Sequence, residues 1–255
     1  MTEKLAGVNS IMEALKGPRR VHKIFILEGR QSKKIEELVH YAQRKGVFVQ
    51  FVEKSRLDAM YTAGNHQGAV AQVSGFNYAE IGEVLEKAYL DNQIPFLLIL
   101  DGIEDPQNFG SIVRTAEGAG VQGIIVPRHG AAEVTAAVSR ASAGAVEHVS
   151  IIRETNLVNT IKYLKERGFW VVGADMQGEQ DYFNTAIPAP TALVIGGEGR
   201  GIRRLVRENC DMLLRIPMEG KIASLNASVA AALLIYEVRR QRSAAAGEPA
   251  RGAEK

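Results

Sequence analysis

The chain has 255 residues, 46% of them hydrophobic and 24% charged, with 31 Lys+Arg against 29 Asp+Glu and a net charge of +2. That length holds one large domain or two smaller ones around a sizeable core. The composition excludes collagen-like, disordered and zinc-ribbon classes. Cys210 is the single cysteine, so no intrachain disulfide forms. With no signal-like N-terminus and no apolar run near 18 residues, the expectation is a cytoplasmic protein without membrane contact.

A net charge so close to zero argues against a nucleic-acid partner. Counting by segment weakens that argument. Residues 1–75 hold 12 basic and 7 acidic residues, a net of +5, while residues 76–255 hold 19 and 22, a net of −3. A basic unit beside a larger near-neutral one suits an accessory that binds a polyanion, because phosphate neutralisation drives nucleic-acid affinity. The plain alternative is chance variation on a solvated surface.

In chain order, the first unit predicts a helix around Ile11 to Leu15 and a strand over Val21 to Leu27. An amphipathic helix with Ile35, Leu38, Val39 and Ala42 on one face follows, then a strand from Val47 to Val52 and a last strand in GAVAQV before Gly75. Asn77 to Asn92 has helical spacing at Ile81, Val84, Leu85 and Ala88; residues 76–94 are expected to act as a linker, with the first helix of the next domain as the alternative. Phe96 to Asp101 is a continuous apolar run of the kind buried on both faces of a parallel sheet. Strand and helix then alternate: a helix near Ser111 to Ala119, the strand GIIVP, a helix around Val134 to Ala141, the strand VEHVSII, a helix around Leu157 to Arg167, then FWVVGAD and TALVIGG. A basic helix from Ile202 to Glu208, the strand MLLRIP and a C-terminal helix from Ala227 to Arg240 complete the series. This is an α/β domain with a mainly parallel sheet over residues 95–242, followed by an expected disordered tail at 243–255.

Ligands of open α/β sheets bind beyond the carboxyl ends of the strands, so the loops leaving these strands are the candidate site. Three stand out. In DGIEDPQNFGSIVRTAEGAG, Asp101 to Gly120, Asn108 and Arg114 are the polar residues of interest; the plain alternatives are a helix cap for Asn108 and an ion pair with Glu117 for Arg114. LVIGGEGRGI, Leu193 to Ile202, sets four glycines and Glu198 directly after a strand. It matches neither G-x-G-x-x-G nor a P-loop, so a generic nucleotide motif fits poorly. In RIPMEGKIASLNASVAAALLIYEVRRQR, Arg215 to Arg242, either Ser224 or Asn226 can cap the following helix. That helix is apolar nearly all round from Val229 to Ile235, which implies burial on more than one side, including a subunit interface.

Together these loops resemble the three signature motifs of the SpoU (TrmH-type) RNA ribose 2′-O-methyltransferases of the SPOUT superfamily. The N-x5-R spacing after a strand, GGEGRGI, and IPM…SLNASVAAA follow one another in family order. VNSIMEAL and HQGAVAQV in the first unit resemble the ribosomal-protein-like RNA-binding domain of the subgroup that methylates a guanosine of 23S ribosomal RNA. The resemblance implies a trefoil-knotted, mainly parallel-sheet methyltransferase domain preceded by a small α/β RNA-binding domain. It also implies S-adenosylmethionine as cofactor, RNA as partner and a homodimer. Carried over by motif position, Gly196 ends the second-motif strand at the cofactor, Ile216 lies in the third-motif strand and Leu225 sits in the SLN turn. The polar residues at the reaction site are Asn108, Arg114, Glu198, Ser224 and Asn226.

A ribose 2′-hydroxyl is a poor nucleophile at neutral pH, so methyl transfer to it demands in-line placement and stabilisation of the departing proton's charge. A guanidinium is normally a donor only, so Arg114 is expected to hold the adjacent phosphate and the forming alkoxide, the alternative being a base, a role that requires unusual neighbours. Asn108, Ser224 and Asn226 would orient Arg114, the ribose or the cofactor, and Glu198 would fix the loop or Arg114 itself. Arg200, Arg203, Arg204 and Arg207 are candidate phosphate contacts, with a solvated helix face as the plain alternative. No metal is expected, since the five histidines show no ligand spacing. The remaining readings are another ribosomal RNA nucleoside, including adenosine-directed resistance enzymes, transfer RNA, or an inactive RNA-binding assembly factor.

Overall fold

The computed structural model describes residues 2–30, 32–62, 64–222 and 224–246. The N-terminal unit runs β1 (Thr2–Ala6), α1 (Val8–Lys16), β2 (Val21–Leu27), α2 (Lys33–Arg44), β3 (Phe48–Val52), α3 (Lys54–Met60) and β4 (Ala69–Ser74). Its sheet has the order β1-β4-β2-β3, with β4 antiparallel to both neighbours and β2 parallel to β3. Ser32 caps α2 by accepting from the Ile35 N–H, and Ile35, Leu38 and Ala42 turn inward onto Ile24 and Ile26. The segments β1 and α3 lie outside the expected elements. β1 is held by its partner about seventy residues away, from Thr2 opposite Ser74 to Ala6 opposite Val70. In α3 only Leu57 is buried, so no periodic signal exists.

The second unit comprises α4 (Ile81–Leu90), β5 (Phe96–Asp101), α5 (Pro106–Gly118), β6 (Gly123–Pro127), α6 (Ala136–Ala141), β7 (Ser150–Glu154), α7 (Leu157–Lys165), β8 (Trp170–Ala174), β9 (Gln180–Asp181), β10 (Thr191–Gly196), α8 (Arg204–Glu208), β11 (Met212–Arg215) and α9 (Ala227–Ala245). The sheet order is β7-β6-β5-β10-β8-β11-β9, and every pairing in it is parallel. β5 shows why its sequence is an unbroken apolar run. Phe96, Leu98 and Leu100 enter the core shared with α5, α6 and α9, while Leu97 and Ile99 enter the core beneath α4, α7 and α8. Burying these five side chains contributes on the order of 10 kcal/mol before chain entropy is counted. The segment VEHVSII splits into a turn of 3-10 helix at Ala145–Glu147 and the strand β7.

Residues 76–94 are not a free linker. Val84 and Leu85 of α4 belong to the core under the large sheet, and the Ala79 N–H donates to the Ile151 carbonyl across 2.8 Å. The two units also meet directly. Arg19 is buried, and its guanidinium pairs with Glu3 and with Glu147, the latter at 3.1 Å, while Nε donates to the Ser74 carbonyl. Burial pushes the Glu147 carboxyl above its ordinary value, against the opposing pull of Arg19. Beside this pair Glu13 lies 2.7 Å from His148, and the Ser10 hydroxyl donates to the Ser139 carbonyl.

At the other end of the chain, α9 continues to Ala245, into the stretch expected to be a disordered tail. Arg242 explains the extra turn, because Nη1 and Nη2 donate to the carbonyls of Ile94 and Pro95 at 2.8 and 2.9 Å. The rest of the expected tail, 247–255, lies outside the described residues. No helix among the described residues is long and apolar enough to cross a membrane.

Because the sheet is parallel, the loops after β5, β10 and β11 leave by one edge. β10 pairs with β5 so that Gly196 faces Asp101 at that edge. This brings the three motif loops together, although they are far apart in sequence.

Candidate active site

The site begins with a helix cap. Asp105, not Asn108, caps α5: its Oδ2 accepts from the Asn108 N–H at 2.9 Å, and Pro106 follows in the first turn. Asn108 is therefore inside the helix and buried, with its amide free to reach across the sheet edge. Its Nδ2 donates to Glu198 Oε1 at 2.5 Å.

Asn226 is the cap of α9. Its Oδ1 accepts from the Ser228 N–H and Oγ at 2.9 and 2.6 Å. Since the cap needs an acceptor, the amide nitrogen must face the other way. It donates to Asn108 Oδ1 at 2.9 Å and to Glu198 Oε1 at 3.1 Å. One residue from each motif loop thus closes a three-membered network whose donor directions are all set by a helix cap.

Glu198 is held in place by close backbone packing. A Cβ on Gly196 would run into the backbone of Gly201 and Ile202, and one on Gly197 would overlap the Gly102 carbonyl. Gly201 takes φ +61° and its N–H donates to the Gly197 carbonyl, closing a tight turn around Glu198. The glycines serve this approach of backbone to backbone, and Gly196 ends its strand as expected.

One cavity is lined by two members of the network, and a second space lies at the residues that lead into it. The first, polar and of about 540 Å³, is lined by Asn108, Glu198, Arg200, Arg203 and His129, among others. A narrow slot of about 100 Å³ has Ile216, Met218, Leu225 and Ser224 in its walls, with Asp175 beside them. Ile216 is not in a strand: β11 ends at Arg215, and Ile216 is the next residue. Ser224 and Leu225 immediately precede Asn226, so the chain leads from the wall of the slot directly into the network. Gly196 lines neither space.

Arg114 is the exception among the expected residues. It is exposed on α5, and among the described residues no ion pair joins it to Glu117. Glu198 is engaged by the two asparagines rather than by Arg114. Motif reading did not single out Asp101 or His129 as cavity residues; the available signal was a charged residue closing an apolar strand. Near the loops, Cys210 is not a nucleophile at neutral pH, because burial pushes its thiol up to about 12.

With this geometry in view, comparison with known proteins defines the class. The SpoU rRNA Methylase family model matches residues 95–236, and the model for RNA 2′-O ribose methyltransferase substrate binding matches residues 4–79. The protein is an RNA ribose 2′-O-methyltransferase with an N-terminal substrate-binding unit. YacO of Bacillus subtilis (strain 168), assigned to the TrmH family of tRNA/rRNA methyltransferases, is 46% identical over 237 residues, covering 93% of this chain and 95% of YacO. The SpoU methyltransferase AviRb from Streptomyces viridochromogenes, solved with AdoMet, has a TM-score of 0.78 at 26% identity, covering 95% of this chain and 91% of AviRb. A TrmH/SpoU tRNA modifying enzyme from A. aeolicus has a TM-score of 0.55 at 29% identity, covering 67% of this chain and 91% of that one. The chain belongs to the SpoU/TrmH family of RNA methyltransferases, and its cofactor is S-adenosylmethionine.

Proposed function

We propose that this enzyme methylates the ribose 2′-oxygen of a guanosine in 23S ribosomal RNA, as a cytoplasmic homodimer whose C-terminal segment is threaded into a trefoil knot. The observation that carries the reading is the Asn108–Glu198–Asn226 network, two of whose members line the polar cavity. S-adenosylmethionine supplies a methyl group on a sulfonium, which needs an oxygen nucleophile in line and no metal.

In this reading Ile216 and Leu225 hold the nucleoside of the cofactor, and Gly196 lets the loop close beside it. Glu198 and the two asparagines form a rigid wall that places the ribose, and Ser224 adds a hydroxyl at the slot. Arg114 binds the phosphate next to the target ribose and stabilises the forming alkoxide. Residues 1–75 bind the RNA and residues 95–242 carry the transfer.

The dimer is supported by an apolar stripe on α9, where Val229, Leu233 and Tyr236 stand 47%, 37% and 52% exposed. α9 packs against α5, the helix that carries Arg114. A second copy covering this stripe would bring Arg114 to a complete site.

YacO's family assignment spans tRNA as well as rRNA, and the A. aeolicus relative is a tRNA modifying enzyme, which keeps transfer RNA as the second reading. The test is to map ribose methylation across ribosomal and transfer RNA from a strain lacking this protein. Loss at one 23S guanosine is expected, whereas loss confined to transfer RNA overturns the proposal. Radiolabelled methyl transfer to unmodified RNA separates an enzyme from an inactive binder.

A further inference from the structure

Four arginines follow the glycine loop, and the structure sorts them. Arg204 lies 3.1 Å from Glu208, and Arg207 lies 3.6 Å from Asp175, so both are committed to acidic neighbours. Arg200 and Arg203 line the polar cavity. Arg203 is held from behind by Asp101: Nε donates to Oδ1 at 2.6 Å, and the main-chain N–H donates to Oδ2 at 2.8 Å.

The two side chains have opposite surroundings. That of Asp101 is fully buried, at 0% exposure, while that of Arg203 is 57% exposed. A buried carboxylate persists only if it is paired and hydrogen-bonded, and here Arg203 supplies both contacts. A guanidinium has five N–H donors in one rigid plane. With Nε spent on Asp101, the four donors on Nη1 and Nη2 remain for the cavity.

That arrangement matters because Glu104, Asp105 and Glu198 line the cavity beside Arg200 and His129, and an arginine free to swing would fold onto one of these carboxylates. Asp101 prevents this by fixing the guanidinium plane. It also fixes the loop, since its carbonyl accepts from the Gly197 N–H at 2.9 Å. Both ends of the segment from Gly197 to Arg203, with Glu198 inside it, are therefore tied to one residue.

We propose that Asp101 is a positioning residue that presents Arg203 to the RNA as a fixed phosphodiester-binding group in the polar cavity. The inference rests on RNA being the substrate of this site. The phosphate receives two N–H donors from Nη1 and Nη2 in a fork, and its neighbouring ribose is thereby set against the Asn108–Glu198–Asn226 wall.

The experiment measures binding of unmodified 23S rRNA and tRNA transcripts over a salt series, alongside cofactor affinity and methyl transfer. Arg203→Gln is expected to weaken RNA binding about tenfold and to lower the slope of log K against log salt by about one phosphate's share, with cofactor affinity unchanged. Asp101→Asn keeps the charge on Arg203, so the slope stays while KM for RNA rises several-fold. Arg203→Lys does not restore wild-type KM, because one ammonium cannot serve Asp101 and a phosphate fork together. Arg203→Gln leaves Asp101 buried without its cation, so the double variant Asp101→Asn/Arg203→Gln guards against misfolding and should show the same lowered slope. An unchanged slope in both Arg203→Gln and the double variant overturns the proposal, as does a parallel loss of cofactor affinity. If the wild-type chain binds RNA but methylates none, the functional reading fails, and the binding series still decides this one.

Discussion

The amide nitrogen of Asn226 donates to the amide oxygen of Asn108 across 2.9 Å, joining the caps and first turns of two helices that start 121 residues apart. Asn226→Ala removes both this bond and the cap of α9. Losing the cap costs about 1 kcal/mol, or about 2–4 °C in Tm for a chain of this size. Losing the network is expected to lower methyl transfer by at least about tenfold. Asn226→Asp separates the two effects, because a carboxylate still accepts from Ser228 and keeps the cap. It also removes the N–H donor to Asn108 and Glu198 and sets a second carboxylate against Glu198. Expected is a near-normal Tm with methyl transfer lowered as far as in Asn226→Ala. Thermal melts and transfer rates check this.

Arg114 gives a prediction of the opposite kind, since no side chain among the described residues pairs with it. If it clamps phosphate and alkoxide, Arg114→Lys keeps the charge but loses the planar fork. The expected result is a kcat lower by about a hundredfold, with cofactor affinity unchanged in calorimetry. Near-normal turnover would defeat the clamp.

How far these features were legible in sequence differs from element to element. β2, β5 and β6 have the bounds that their apolar runs predict, because burial on both faces leaves a local signature. β1 and the two-residue β9 leave none, since each exists only through a partner strand elsewhere. At the site, the residue types were legible through motif resemblance, yet the bonds among them were not. Asn108 and Glu198 meet because β5 and β10 are neighbours in a parallel sheet, and Asn226, which follows β11, joins them because α9 packs against α5; both are facts of topology. Local rules left a helix cap open as the plain alternative for Asn108, and Asp105 fills that position instead.

Cys210 offers a probe of the native state beside the glycine loop. Its thiol is raised by burial from 9.0 to about 12. At pH 8 the thiolate fraction is therefore about a thousandfold lower in the folded chain than in the unfolded one. Iodoacetamide should label the native enzyme slowly and the denatured enzyme fast, with mass spectrometry as the readout. Raised above its unfolded value, this group adds stability that is intact below about pH 9 and is lost as the pH climbs through about 12. Cys210→Ala should flatten that part of the alkaline unfolding profile.

The strongest stability prediction concerns the contact between the two units. The Arg19 and Glu147 side chains are 4% and 1% exposed and 3.1 Å apart, so neither charge has water to fall back on. Removing one partner of such a pair strands the other, at a cost of about 3–5 kcal/mol. Arg19→Ala is expected to lose that much in denaturant unfolding, and Arg19→Ala/Glu147→Gln to recover part of it. Deleting residues 1–75 strands Glu147 in the same way, so the double variant is the cleaner test of what the N-terminal unit contributes. The pH dependence has a definite sign. Burial raises the Glu147 carboxyl above its ordinary value, so this group favours the fold at acid pH, and its contribution is lost as pH rises through the folded value. Without Arg19 to oppose it, the rise is larger. The Arg19→Ala variant should therefore lose more stability than the wild type between acid and neutral pH, and Glu147→Gln should abolish the difference.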